Sequence, residues 1–470
     1  MEQRYVKFHY KVVLNRWLTI AALLVIYFHS PAQNFQRFDY LTVTENSKQL
    51  RYPWTGGINS VQFSKADVNH DGIKDLFLYD KSSGRICVFL AQGMNSTQYV
   101  FNAGYGNNFP EVNGWMVLKD YNCDGIEDFF TYQAPGNIKV YTGYYSNDTL
   151  QFRLKQNGFF YFGSGIFINV YCSEVIKPTI DDFNKDGDLD VVSFNVSGNR
   201  LIYYENQQKE LGLSCDSLFF NKTDNCWGNV FDTFSSSYAL KDTCSFKFNR
   251  IGSSNEIMHT GSYIESMDVD NNGVLDILVG SVGLNNMTML YNNGSTIYAS
   301  VLKQDTRFPS YDVPFNTSSF AAPVFLDVNN DGKKDLLVST YDEGAANIEN
   351  IWYYKNIRSD SVDLRFQQKD FILNDMIDAG ENSNPCFMDV NGDGLTDILL
   401  GSGGYKDYIN PAVYKLRYYK NTGTSTYPSF TLENEDFLNI STFGVQEIKP
   451  ASGDIDNDGD TDLVIGCIYR

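Results

Sequence analysis

Seven short stretches of this chain set hard oxygen donors at one fixed spacing. Each is nine residues long and reads Asp, x, Asn or Asp, x, Asp or Asn, Gly, x, x, Asp. In the first, Asp67, Asn69, Asp71 and Asp75 offer side-chain oxygens around a turn at Gly72, and Ile73 offers its main-chain carbonyl. The next sets are Asp120, Asn122, Asp124 and Asp128 with the carbonyl of Ile126, and Asp182, Asn184, Asp186 and Asp190 with that of Asp188. Asp268, Asp270, Asn272 and Asp276 follow with Val274, then Asp327, Asn329, Asp331 and Asp335 with Lys333. The last two are Asp389, Asn391, Asp393 and Asp397 with Leu395, and Asp454, Asp456, Asp458 and Asp462 with Asp460. Calcium takes six to eight oxygens, often a backbone carbonyl among them, around a tight turn that glycine permits. The seventh position holds Ile, Asp, Val, Lys or Leu, the scatter expected if only its carbonyl is used. The expectation is about seven Ca2+ ions, one per loop.

Turn chemistry alone favours Asp, Asn and Gly, but it does not call for Asp at the ninth position seven times. An EF-hand loop begins in the same way and ends on a twelfth-position acid between helices. Here the ninth-position Asp runs directly into an apolar strand pattern. Carboxylates at this density repel one another without a cation. The chain of 470 residues carries a net charge of −20, of which seven divalent ions would offset about 14.

The elements that position these loops repeat with them. The loops open at steps of 53, 62, 86, 59, 62 and 65 residues. After each ninth position comes an apolar run, among them Leu76-Phe77-Leu78, Ile277-Leu278-Val279 and Leu463-Val464-Ile465. Such short runs bounded by turn residues predict strands. Pro178, Pro323, Pro385 and Pro450 each stand four residues before a first Asp, at the entry to the preceding strand. A third strand is predicted by Leu201-Ile202-Tyr203-Tyr204-Glu205-Asn206, Ile351-Trp352-Tyr353-Tyr354-Lys355-Asn356 and Leu416-Arg417-Tyr418-Tyr419-Lys420-Asn421, and a fourth by runs such as Ser429-Phe430-Thr431-Leu432. Four strands per repeat is the pattern of a propeller blade. The sequence therefore predicts an all-β chain, a β-propeller of about seven four-stranded blades with the acidic loop between first and second strands. Its 15% aromatic content suits packing between blades.

On these residues the chain resembles the FG-GAP or VCBS-type repeats of integrin α-subunit propellers and of many secreted bacterial proteins. The resemblance runs from about Val61 to the C-terminus, and the Tyr-Tyr-x-Asn third strand is similar to the bacterial branch. It implies a calcium ion holding the hairpin between first and second strands rigid. Integrin propellers carry the loop in some blades only, whereas all seven repeats have it here.

Ahead of the repeats, Arg4, Lys7, Lys11 and Arg16 precede the apolar run Trp17 to Phe28 and then Ser30-Pro31-Ala32. This reads as a secretory signal peptide over residues 1–32, with a run too short to span a bilayer. The mature chain, 33–470, is expected outside the cytoplasm or at the cell surface, where disulfides persist. Cys215, Cys226 and Cys244, with Cys172 upstream, suggest disulfides stapling an insertion at about 207–260 that also holds Trp227. Cys87, Cys386 and Cys467 lie in apolar runs and are expected as buried free thiols. The seventh repeat ends after its second strand, a truncated blade, and the run Phe38 to Thr44 is expected to serve it as an outer strand. The sequons at Asn95 and Asn221 say little in so Asn-rich a chain.

The acidic balance excludes nucleic acid as a partner. Beyond residue 32 the only histidines are His70, at a variable loop position and expected to face solvent, and His259, which has no metal-ligand spacing. A histidine-dependent triad or zinc site is excluded on that count. The expected function is adhesion or recognition of an extracellular glycan or protein ligand, with no catalytic residues. The alternatives are a structural domain of a larger surface protein, or a secreted lyase or glycosidase on a propeller scaffold.

Overall fold

The computed structural model describes residues 37–38, 40–241, 261–317, 319–342, 347–406 and 412–469. Residues 1–32, expected as a signal peptide, and Cys244 and His259 lie outside them. The chain divides into two compact units, Met1–Leu41 and Thr42–Arg470. Within the first, the rings of Phe38 and Tyr40 meet edge to face at 5.2 Å. The second holds all seven loops. Among the described residues no helix is long and apolar enough to cross a membrane.

The fold is all-β, and its unit is a four-stranded antiparallel sheet with consecutive strands as neighbours. Repeat 1 consists of Val61–Ala66, Asp75–Asp80, Arg85–Ala91 and Tyr99–Asn102. Repeat 2 starts with Met116–Lys119, repeat 3 with Thr179–Asp181, repeat 4 with Ser262–Met267, repeat 5 with Ala321–Leu326 and repeat 6 with Asn384–Met388. In every case the acidic loop joins the first strand to the second, and the ninth-position Asp is the first residue of that second strand. Repeat 7 is the two-stranded hairpin Val445–Gly453 and Asp462–Tyr469. Pro323, Pro385 and Pro450 lie within first strands. These are edge strands, where a missing N–H costs no ladder bond.

The sheets pack face to face in a propeller-like arrangement. The first strand of repeat 1 contacts that of repeat 2 on one side and that of repeat 5 on the other. The first strands of repeats 3, 4 and 5 contact in turn, and Lys119 meets Asp181 at 3.1 Å to join repeats 2 and 3. The sequence predicts seven blades, whereas this circuit of first strands contains five repeats. Tyr52, Phe63, Leu337, Tyr353 and Phe371 form one core between repeats 1 and 5. Repeat 6 packs instead on repeat 7, around Cys386, Leu399, Tyr418 and Ile448.

The expected place of the N-terminal outer strand is corrected. Val43–Glu45 runs parallel to Phe430–Asn434 on the outer edge of repeat 6, not on repeat 7. That edge offers unpaired backbone groups, and Phe430 N–H donates to the carbonyl of Thr42 at 2.9 Å. The described part of the insertion after repeat 3 contributes to the core. Trp227 is buried against Phe183, and with Val230 and Tyr238 it fills the core between repeats 3 and 4.

Candidate metal centres

Each loop is a nest of backbone N–H groups aimed at its own side chains. In all seven the sixth-position glycine N–H donates to the first Asp, as Gly72 does to Asp67 at 2.8 Å and Gly459 to Asp454 at 3.1 Å. The seventh-position N–H donates to the fifth-position oxygen, as Ile73 does to Asp71 at 2.8 Å and Val274 to Asn272 at 3.0 Å. To close this turn the backbone enters the left-handed region twice, for example at His70 (φ 60°) and Gly72 (φ 86°). Open space surrounds a Cβ placed on Gly72, so backbone conformation and not crowding calls for glycine there.

The ninth-position Asp does a different job. Asp75, Asp128, Asp190, Asp276, Asp335 and Asp397 are fully buried. One oxygen of each accepts the second-position N–H of its own loop, and the other accepts a backbone N–H from the third strand. For Asp276 the donors are Val269 at 2.8 Å and Asn292 at 2.7 Å; for Asp397 they are Val390 at 3.0 Å and Asn421 at 2.7 Å. The Tyr-Tyr-x-Asn motif is the partner of this strap. Its first tyrosine donates its hydroxyl to the same carboxylate, Tyr203 to Asp190 at 2.9 Å and Tyr418 to Asp397 at 3.0 Å. Its asparagine side chain then accepts N–H groups of the following turn, as Asn421 does from Gly423 at 3.0 Å. Burial pushes the carboxyl of Asp190 up to about 8, those of Asp128 and Asp276 up to about 7, and those of Asp75 and Asp335 up to about 6. Asp462 of repeat 7 accepts from Ile455 at 2.8 Å and has no third strand to strap among the described residues.

The oxygens that could hold a cation are those the sequence names. In repeat 4, oxygens of Asp268, Asp270 and Asp276 lie within 4.8 Å of one another, and in repeat 7 so do those of Asp454, Asp456 and Asp462. In repeat 2, Asp120 Oδ1 is buried with no hydrogen-bond partner among the described residues, the state of a donor oxygen awaiting a cation. The donor set is all oxygen, which suits a hard divalent ion.

Residues 260–338 and 366–465 match the FG-GAP-like repeat. The chain carries FG-GAP-like repeats. The matched segments contain the loops of repeats 4 to 7, and the loops of repeats 1 to 3 make the same glycine hydrogen bond. No curated protein matches the chain. Among solved structures, one describing recognition of non-reducing terminal N-acetylglucosamine by an Agrocybe aegerita lectin aligns over 79% of this chain and 78% of that one, at 15% identity and a TM-score of 0.30. A Tc holotoxin pore from Photorhabdus luminescens aligns over 65% of this chain and 14% of that one, at 14% identity and a TM-score of 0.32. At such TM-scores neither carries an argument about ligand or fold.

Some residues at the loops carry no local signal in the sequence. In repeat 3 the seventh-position side chain matters, against the sequence reading: Asp188 is buried, one oxygen accepts Lys209 N–H at 3.2 Å, and the other has no hydrogen-bond partner among the described residues. Glu210, from the insertion, brings an oxygen within 4.8 Å of those of Asp186 and Asp188. Cys123, a loop residue of repeat 2, forms a disulfide with Cys215. Cys226 is also disulfide-bonded. Cys87, Cys172 and Cys386 are buried free thiols, whereas Cys467 is exposed because repeat 7 lacks a covering strand among the described residues. His70 does more than face solvent: its ring stacks on Tyr145 at 4.0 Å, and the Tyr145 hydroxyl donates to the carbonyl of Asp67 at 2.7 Å. The loop of repeat 1 is thus held by repeat 2.

Proposed function

We propose that the chain is an extracellular, calcium-stabilised β-propeller that presents a binding surface to a glycan or protein ligand. The observation that carries this reading is the loop itself, seven times built with one hydrogen-bond plan, with acidic oxygens clustered in the loops of repeats 3, 4 and 7. Calcium acts here as a structural ion. It pulls the first, third, fifth and ninth side chains and the seventh carbonyl together, and so fixes the hairpin between first and second strands. Ions that bind only the folded chain stabilise it by mass action. Chelation is expected to lower the melting temperature by many degrees and calcium to restore it; an unchanged melting temperature overturns the metal reading. Recognition is tested by native electrophoresis of the calcium-loaded protein through polysaccharide-containing gels, with released sugar assayed in parallel. Retardation without product is expected, and retardation with product would make the protein an enzyme.

A further inference from the structure

The first strands of repeats 1 to 5 line a cavity of about 370 Å³ that also meets the acidic loops of repeats 1, 2 and 5. That volume is within the range of small-ligand sites, roughly 300–1,000 Å³. Five lysines line it in a chain of net charge −20. Three are neutralised in place: Lys74 by Glu127, Lys119 by Asp181 and Lys177 by Glu265. The other two make no contact ion pair among the described residues, although Asp327 acts on Lys65 and Asp181 and Glu265 act on Lys334 from further away. Lys65 is only 8% exposed, yet it donates to two neutral oxygens, the carbonyl of Asp327 and Asn330 Oδ1 at 2.6 Å, and no carboxylate of the described residues lies within salt-bridge distance. Lys334, at the eighth position of the repeat 5 loop, has neither a hydrogen-bond nor an ion-pair partner among the described residues.

A buried cation without a carboxylate in contact, as Lys65 is, costs several kcal/mol, on the order of what one charged partner returns. Asp120 and Asp327 also line the cavity, but each accepts the glycine N–H of its own loop at 2.8 Å. We infer that this cavity binds an oxyanion, the carboxylate or sulfate of an acidic saccharide, with Lys65 and Lys334 as its counter-charges. The saccharide as the source of the anion rests on the glycan-recognition reading above; the anion site itself rests on the lysines.

The test is calorimetric titration of the calcium-saturated protein with a galacturonate trisaccharide, a sulfated galactose trisaccharide, the neutral galactose trisaccharide and inorganic sulfate. Calcium uptake is measured on the same sample. An acidic trisaccharide is expected to bind where the neutral one does not, and Lys334→Gln to weaken it roughly tenfold or more, the worth of one charged hydrogen bond. Lys65→Gln should do the same. Because Lys65 is buried and its replacement can disturb folding, the variant at the exposed Lys334 is the deciding one. Lys303→Gln, on an outer strand of repeat 4, should leave affinity unchanged. Sulfate binding as tightly as the trisaccharides, and lost in Lys334→Gln, supports the site with a free anion as its occupant. Calcium uptake without any anion binding, or an equal loss in Lys303→Gln, overturns the inference and leaves the metal reading intact. Anion binding without calcium uptake upholds the site and overturns the metal reading.

Discussion

Replacing Asp276 separates the two roles of a ninth-position aspartate. The side chain is fully buried and accepts two backbone N–H groups, Val269 at 2.8 Å and Asn292 at 2.7 Å, from elements on either side of the second strand. Asp276→Ala leaves both donors buried without an acceptor, at about 1–3 kcal/mol each, so the expected loss is about 2–6 kcal/mol in chelator. Asp276→Asn keeps one oxygen and turns an amide NH₂ toward the other N–H, for a loss of about 1–3 kcal/mol. Because an Asp276 oxygen lies within 4.8 Å of oxygens of Asp268 and Asp270, the Asn variant should lose more in excess calcium than in chelator. Asp462→Asn is the internal comparison: Asp462 is only half-buried and accepts a single bond from Ile455, and its loss in chelator should be smaller. Urea unfolding followed by tryptophan fluorescence, with and without calcium, reads all three. If Asp276→Ala unfolds in chelator at the wild-type urea concentration, the strap is not structural. If the Asn variant loses the same amount with and without calcium, the carboxylate is not a ligand.

Without calcium, stability should fall as pH rises. Asp190, Asp128 and Asp276 are held at about 8, 7 and 7 against an ordinary 3.8, so the folded chain binds more protons than the unfolded one between those limits. Urea midpoints in chelator should therefore be lower at about pH 8 than at about pH 5, with the difference reduced by calcium; a rising midpoint would contradict the burial of these carboxyls. Trp227→Ala should cost about 3–5 kcal/mol, the loss for a large core side chain, as read by thermal unfolding. An insertion lying on the surface would lose far less. Cys123→Ser opens a link between residues 92 apart and should lower stability by about 4 kcal/mol in urea unfolding, while an unchanged midpoint would show that the disulfide adds nothing.

The sequence by itself determined whatever is local. Loop spacing, glycine at the sixth position, the strand that follows Asp276 and the third strand at Tyr418-Tyr419-Lys420-Asn421 are set by backbone preferences and two-residue alternation within a dozen positions. These were legible without coordinates, and so were the candidate ligands. The tertiary structure decided what depends on strands meeting. Asp397 is tied to Asn421 across a hairpin, Asp188 meets Glu210 across the turn after Asn206, and Cys123 finds Cys215 across two sheets. Repeats 1 and 5 meet because side chains such as Phe63 and Tyr353 fill one shared core, a matter of volumes that no single repeat encodes. Lys65, Lys119, Lys177 and Lys334 stand at unrelated places in their repeats and share one cavity only after the sheets have docked. Spacing along a chain fixes hydrogen bonds within a loop; close packing of whole faces fixes which charges end up together.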